Sequence, residues 1–250
     1  MHQMYPEWHV NLTSAFIVVL LMGIFALLGG RFRYWIILIL MLAICFFSPL
    51  QALAMTSFSM HMSVHVILLL LVGPCMILGL SSTHRSRQQR FFRWLKDHAW
   101  VSWVVGMGTM WIWHIPVIFN SGMRSMAAQM HHGFNWTHFA EAVSLVLAGT
   151  IYSAPVIHPV PECRLGGLKG IIYLVTACTG CSVLGLLITF APPGIYRFNE
   201  MMEHAAAISP VTDQQIAGLI MWVPCCFVYI SGAIYIMAGW LNIREKTIVS

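Results

Sequence analysis

The sequence predicts an all-α integral membrane protein, a bundle of about seven transmembrane helices in a single domain over residues 1–250. The first observation is its composition, which is 59% hydrophobic and 8% charged, whereas soluble domains are about 25% charged. The others are seven long apolar runs and the placement of the basic residues. So little polar surface cannot coat a water-soluble globule, which excludes soluble enzymes and nucleic-acid-binding proteins. Membrane lipid is the expected surroundings.

An apolar run of about 18 residues is long enough to cross about 30 Å of hydrocarbon as a helix. Seven runs meet this requirement: Thr13–Gly30, Tyr34–Phe58, Met60–Leu80, Trp100–Phe119, Thr137–Ile157, Gly170–Pro192 and Asp213–Leu241. The first has no basic residues before it and no small-residue cleavage pattern after it, so we expect a retained helix. Only a short Ser/Met stretch separates the second from the third. The later runs are separated by polar connectors around residues 81–99, 120–136 and 193–212.

The basic residues predict the orientation, because short cytoplasmic loops of membrane proteins retain Lys and Arg. Eleven of the 13 fall in alternate segments, which must share one side: Arg31, Arg33, Arg85, Arg87, Arg90, Arg93, Lys96, Arg164, Lys169, Arg244 and Lys246. Only Arg124 and Arg197 fall on the opposite side. We therefore expect the N-terminus outside and the C-terminus in the cytoplasm.

With this topology, nine of the 12 histidines lie in outer segments or in the outer turns of spans. His61 and His65 are spaced i, i+4 and share one helix face. His114 ends the fourth span on the same side, and His138 opens the fifth. Imidazole is the commonest metal ligand, so four imidazoles at one depth favour a bound metal ion. The alternative is that each histidine donates a hydrogen bond to a carbonyl on a neighbouring helix.

Methionines and acidic residues narrow the choice of metal. Ten of the 17 methionines lie on the outer side, and Met60 and Met62 flank His61. Thioethers together with imidazoles favour Cu(I), although methionine also serves as core filler. Glu141 follows His138 by three residues and is either a ligand or a partner that orients that imidazole. Asp213 begins the seventh span, where a helix N-cap and a role in the site are both compatible with its position.

The seven cysteines all lie outside the outer loops, so a disulfide framework is not expected. Cys178 and Cys181 form a C-x-x-C that, together with Cys225 and Cys226, would suit a thiolate copper relay. Both pairs fall near the middle of a span, where free cysteine is commonly a small apolar residue. The sequence contains no Gly-rich phosphate loop, nucleophile elbow or H-E-x-x-H motif, and we expect no enzymatic activity.

Several segments resemble one family. They are Met60-His61-Met62-Ser63-Val64-His65 leading to Val72-Gly73-Pro74, then Trp113-His114-Ile115-Pro116, then His138 heading an apolar helix, and Asp213-Gln214-Gln215-Ile216-Ala217-Gly218-Leu219-Ile220-Met221-Trp222-Val223-Pro224. In order and spacing they resemble the polytopic CtaG-type cytochrome c oxidase assembly factors, over roughly residues 55–241. The resemblance marks His61, His65, His114, His138 and Asp213 as the characteristic polar positions, with His131 or His132 as a further outer-loop histidine. Cys225-Cys226 departs from the Gly-rich sequence expected after Pro224.

The resemblance implies a multi-pass protein of the bacterial plasma membrane that handles copper, as transiently bound Cu(I), for subunits of a haem–copper oxidase. Two other functions remain open on the sequence. A membrane b-type cytochrome would use histidines as axial haem ligands, but two histidines one turn apart on one helix cannot ligate opposite faces of one haem. A structural accessory subunit of an oxidase would use the outer histidines and methionines for packing.

Overall fold

A computed structural model describes residues 11–81, 86–128, 134–198 and 208–249 of the chain. Within these ranges the protein is built from α-helices and contains no β-strand. The helices are α1 Leu12–Leu27, α2 Phe32–Phe46, α3 Pro49–Ala54, α4 Phe58–Ile67, α5 Gly73–Leu78, α6 Ser86–Asp97, α7 Ala99–His114, α8 Pro116–Ala128, α9 Trp136–Ile157, α10 Gly167–Thr189 and α11 Pro210–Val249. A π-helical turn, Leu68–Val72, joins α4 to α5, and a 3₁₀ turn, Pro161–Cys163, precedes α10.

Four helical segments are long and apolar enough to cross a membrane: Phe58–Leu78, Trp136–Ile157, Gly167–Thr189 and Pro210–Leu241. A fifth results if α7 and α8 together form one bent span. The helices α1 and α2 are apolar but shorter. The protein is thus a multi-pass membrane protein by composition and helix length, and the count of seven spans stays a prediction.

The second predicted span, Tyr34–Phe58, is not one continuous helix. The helix α2 ends at Phe46, and α3 begins at Pro49. Proline has no N–H to donate and fits the first turn of a helix, while Ser48 Oγ accepts from the backbone N–H of Leu50 at 3.1 Å. The prediction of one unbroken helix was wrong here because Ser48-Pro49 starts a new helix within an apolar run.

The fourth predicted span, Trp100–Phe119, is also interrupted. The helix α7 ends at His114, Ile115 is extended, and α8 begins at Pro116 with its axis bent by 69° from α7. A residue before proline disfavours the helical conformation, which explains the break at Ile115. His114 therefore occupies the last turn of α7 at a corner of the chain.

The span Phe58–Leu78 packs directly on α9. Its π-helical turn precedes Pro74, which cannot donate to a carbonyl in the preceding turn, and the Gly73 N–H bonds to Leu68 O instead. Both helices carry a glycine at the crossing. A Cβ added to Gly149 would lie 2.3 Å from Leu69 O, and one added to Gly73 would lie 2.6 Å from the Gly149 carbonyl carbon. These glycines bring the start of α4 beside the start of α9.

The loops that carry most of the basic residues meet at one end of the bundle. The Arg31 N–H donates to Gly79 O at 2.8 Å, and the rings of Phe92 and His158 lie 4.5 Å apart. Gln88 on α6 donates to Leu27 O at 3.5 Å, which links α6 to the end of α1. The starts of α4 and α9 and the end of α7 lie at the other end. This arrangement agrees with the predicted alternation of the loops, while the side that faces the cytoplasm stays a prediction.

Candidate metal centre

Three side chains with metal-binding atoms converge inside the bundle. His61 and His65 lie one turn apart on α4, and their ring centroids are 4.4 Å apart. Glu141 projects from α9 toward both of them. Its Oε1 lies 3.6 Å from His61 Nε2 and 3.2 Å from His65 Nε2. One potential ligand atom from each residue falls within 4.8 Å of the other two, and all three residues are buried.

The imidazoles of this cluster lack ordinary partners. The contacts with Glu141 do not have hydrogen-bond geometry, and His61 Nε2 and both ring nitrogens of His65 are buried without a hydrogen-bond partner among the described residues. Buried polar atoms are nearly always hydrogen-bonded, since leaving one unpaired costs about 1–3 kcal/mol. These nitrogens, together with the facing carboxylate, are therefore available as ligand atoms for a metal ion.

A small cavity adjoins the cluster and contains a third imidazole. It measures about 10 Å³, and its lining includes His61, His65, Glu141, His138 and Gln51. A single water needs about 10–15 Å³ measured in this way, so the cavity suits one ion or one water. Gln51 Nε2 lies 3.4 Å from His138 Nε2. Glu141, which the sequence suggested as a ligand or as the partner of His138, contacts His61 and His65.

His114 stands on the other side of His65, with ring centroids 5.3 Å apart. Its Nδ1 donates to Met110 O at 2.5 Å, which leaves Nε2 unprotonated in the neutral ring. That nitrogen lies 3.0 Å from Met62 Sδ. Two electron-pair donors therefore face each other beside the three-residue cluster.

Tyr196, which lies in the segment after α10, holds the backbone of His114 at the bend between α7 and α8. Its hydroxyl donates to His114 O at 2.8 Å, and its ring packs on Phe58 and Phe119. Burial raises the pKa of Tyr196 to about 12, so this hydroxyl stays protonated and keeps donating at physiological pH.

Asp213 is placed outside the three-residue cluster, at the N-terminus of α4. Its Oδ1 accepts from Ser57 Oγ at 2.8 Å and from the Ser59 N–H at 3.0 Å, and its Oδ2 accepts from the Phe58 N–H at 2.6 Å. The carboxylate thus caps the helix that carries His61 and His65, although it belongs to α11. We had expected a cap of its own helix or a role in the site, and it caps a neighbouring helix instead.

The remaining predicted residues, Met60, His131, His132 and the cysteines, lie apart from the three-residue cluster or outside the described residues. Met60 is half-buried, and its neighbour Met62 is the methionine that contacts an imidazole. His131 and His132 lie outside the described residues. The two thiols of the C-x-x-C separate: Cys178 Sγ lies 3.0 Å from Cys226 Sγ, whereas Cys181 Sγ lies 4.0 Å from Met110 Sδ.

Gln51 is a neighbour of the site that the sequence did not indicate, whereas Met62 is one of the two methionines expected to matter beside His61. Helix geometry explains why Met62 is the one that faces inward: it follows Phe58 by four residues and shares its buried face. Gln51 is a polar residue inside an apolar run, a signal that could have identified it.

Comparison with known proteins agrees with the resemblance described above. A model of the cytochrome c oxidase caa3 assembly factor family (Caa3_CtaG) matches residues 25–242. No curated protein and no solved structure matches the chain. The matched region includes the whole cluster of His61, His65 and Glu141, together with His114, His138 and Asp213. The chain belongs to the cytochrome c oxidase caa3 assembly factor family.

Proposed function

We propose that this assembly factor acts without enzymatic chemistry by binding copper as its cargo, in the Cu(I) state, between His61, His65 and Glu141. The copper then passes to a subunit of a haem–copper oxidase during assembly. The observation that carries this proposal is the group of buried, unpaired imidazole nitrogens facing one carboxylate oxygen. Imidazole is a good ligand for copper, and the spacing leaves one ion as the shared partner.

The charge of the cluster favours a monovalent ion. Two neutral imidazoles and one ionised carboxylate carry a net charge of −1, which Cu(I) neutralises. A divalent ion would leave a positive charge inside an apolar bundle, where an unbalanced charge is costly. The carboxylate is a harder ligand than Cu(I) prefers, and its role in this proposal is charge compensation beside the two imidazoles.

Soft donors next to the cluster provide a second reason for Cu(I). His114 Nε2 and Met62 Sδ lie 3.0 Å apart, and the His114 ring neighbours that of His65. Imidazole and thioether are both ligands that suit Cu(I). This pair offers the ion a second position inside the same end of the bundle, from which a partner subunit would receive it.

The size of the cavity favours a single ion over haem. Sites for organic ligands commonly measure about 300–1,000 Å³, whereas the cavity lined by these histidines measures about 10 Å³. His61 and His65 also lie on one helix, and Glu141 of α9 faces both of them. These features support copper handling over the function of a b-type cytochrome.

We place the site at the outer side of the bacterial plasma membrane, following the predicted orientation. The starts of α4 and α9 and the end of α7 lie at the end of the bundle opposite to the basic loops. A copper ion bound there would be accessible to an oxidase subunit whose copper site faces the same side.

The proposal is tested in cells that lack this protein and depend on it for oxidase maturation. Restoring the wild-type chain should restore copper in the oxidase, and His65→Ala should not, because it removes the imidazole closest to Glu141. His98→Ala is the matched control, since His98 is exposed at the other end of the bundle. We expect Cys178→Ala to be mild.

Equal amounts of each variant in the membrane must be verified before copper in the oxidase is compared. Full maturation with His65→Ala and with His61→Ala would contradict the proposal. If Cys178→Ala alone abolished oxidase maturation, the cysteines and not the histidines would be the copper ligands. Normal maturation of the oxidase by an assembly factor that binds no copper would favour the structural accessory role.

A further inference from the structure

A large cavity opens at the end of the bundle opposite to the histidines. It measures about 750 Å³ and lies between the end of α6, the first turns of α7 and the start of α10. Basic side chains reach it from different segments of the chain: Lys96 from α6, Arg164 from the connection before α10, and Lys169 from the first turn of α10. The copper proposal does not involve this cavity.

The charge of the cavity is positive. Lys96 pairs with Asp97, with 3.0 Å between Lys96 Nζ and Asp97 Oδ1. In the ranges that the structure describes, neither Arg164 nor Lys169 forms an ion pair with a carboxylate. The cavity therefore presents two uncompensated cations and suits an anion.

The start of α10 adds to this preference. Its N-cap residue, Gly166, lines the cavity and provides no side-chain cap for the first backbone N–H groups of a 23-residue helix. The N-terminus of a helix favours a negatively charged group, both through its free N–H groups and through its dipole. Phosphate is the common anion that accepts hydrogen bonds from such groups and from arginine and lysine together.

The rest of the cavity is apolar and open at the surface of the bundle. Trp100 and Val104 on α7 and Ile172 on α10 line it, and each is more than half exposed. Tryptophan at this depth is typical of the boundary between headgroups and acyl chains. A charged end and an apolar end in one cavity match a phospholipid better than a free phosphate, which would contact only the charged end.

We propose that this cavity binds one anionic phospholipid, with its phosphodiester headgroup between Arg164, Lys169 and the start of α10 and its acyl chains along Val104 and Ile172. A zwitterionic lipid presents a cationic group beside its phosphate, so it gains less from two uncompensated cations. The site therefore selects lipids by their net negative charge.

Native mass spectrometry of the purified full chain tests this proposal. The protein is mixed with phosphatidylglycerol and phosphatidylcholine that carry identical acyl chains, in equal amounts. We expect one phosphatidylglycerol to be retained in preference to phosphatidylcholine, and Arg164→Gln and Lys169→Gln each to reduce that preference about fivefold. Added salt should also weaken it, because exposed cations are screened.

Matched controls separate this site from a general attraction of the basic end for lipid. Arg33→Gln and Arg90→Gln change the net charge by the same amount at exposed positions outside the cavity. Together they should leave the preference unchanged. An equal loss in both pairs of variants, or equal retention of the two lipids by the wild type, would overturn the proposal.

A second arm distinguishes a lipid from a free phosphate. Inorganic phosphate in large excess should not displace the retained phosphatidylglycerol, since it lacks contacts with Trp100, Val104 and Ile172. Displacement by inorganic phosphate would overturn the assignment to a lipid. Thermal unfolding of each variant verifies that the bundle is intact.

Discussion

His65 Nε2 lies 3.2 Å from Glu141 Oε1, although the two residues belong to different membrane spans. This contact depends on the close crossing of Phe58–Leu78 and α9 and on the cap that Asp213 provides for α4. The proposed copper site can therefore be disturbed from three places: its ligands, the crossing and the cap.

Glu141→Gln removes the only carboxylate among the described residues that contacts His61 and His65. Without its charge, a bound Cu(I) would leave a positive site inside the bundle. We expect the affinity for Cu(I) to fall about 10- to 100-fold with little change in helix content. Competition with a Cu(I) chelator measures the affinity. Glu162→Gln changes an exposed acid at the other end of the bundle, and an equal fall there would refute the specific role of Glu141.

Gly149→Ala tests the helix crossing. The added methyl group would lie 2.3 Å from Leu69 O, a backbone atom that cannot move without its helix. We expect the spans to separate, with a loss of about 1–3 kcal/mol in stability and weaker copper binding. Gly108→Ala is the matched control, because a methyl group there meets nothing within 4 Å. Unchanged copper binding by a folded Gly149→Ala protein would show that the crossing does not position the site.

Asp213→Asn tests the cap on α4. Asparagine has one acceptor oxygen, so it cannot accept from Ser57, Phe58 and Ser59 in the way that both carboxylate oxygens do. We expect a loss of about 1–3 kcal/mol in stability and reduced copper retention through the displacement of His61. Thermal unfolding with and without Cu(I) measures both effects. The comparison variant is Asp97→Asn, whose side chain is largely exposed, and a similar loss in that variant would argue against the cap.

The distribution of Lys and Arg predicts the orientation. A reporter fused after Ser250 should lie in the cytoplasm, and one inserted between His131 and His132 should lie outside. Reporters of compartment, such as a phosphatase and a fluorescent protein, measure both positions. The same compartment for both would mean that the number of spans between them is not odd, and it would remove the reason for placing the histidines on the outer side.

The membrane character and the family could be predicted from the sequence because composition and motif order are properties of the chain itself. The breaks at Ser48-Pro49 and Ile115-Pro116 were also encoded locally. The hydrophobicity of a long run indicates that the segment lies in lipid, but it does not show where a helix ends. A single proline can set that boundary, which is why both breaks lie inside predicted spans.

The partners in the site could not be predicted in the same way. The spacing of His61 and His65 places them on one helix face, and this arrangement is present in the structure. That Glu141 faces them, and that Met62 faces His114, depends on which spans pack together through Gly73 and Gly149. Likewise, the position of Asp213 in the sequence suits a cap of its own helix or a role in the site, and only the packing of α11 on α4 shows which groups its carboxylate accepts from.

The copper content of the purified protein, loaded under reducing conditions and freed of loosely bound metal, decides whether His61 and His65 hold copper. We expect one bound copper per wild-type chain and per His98→Ala chain, and a marked loss in the double variant His61→Ala/His65→Ala. A reduced-minus-oxidised absorption spectrum of the same samples should show no haem bands. Copper retained equally by the double variant, or haem bands that depend on His61 and His65, would contradict it.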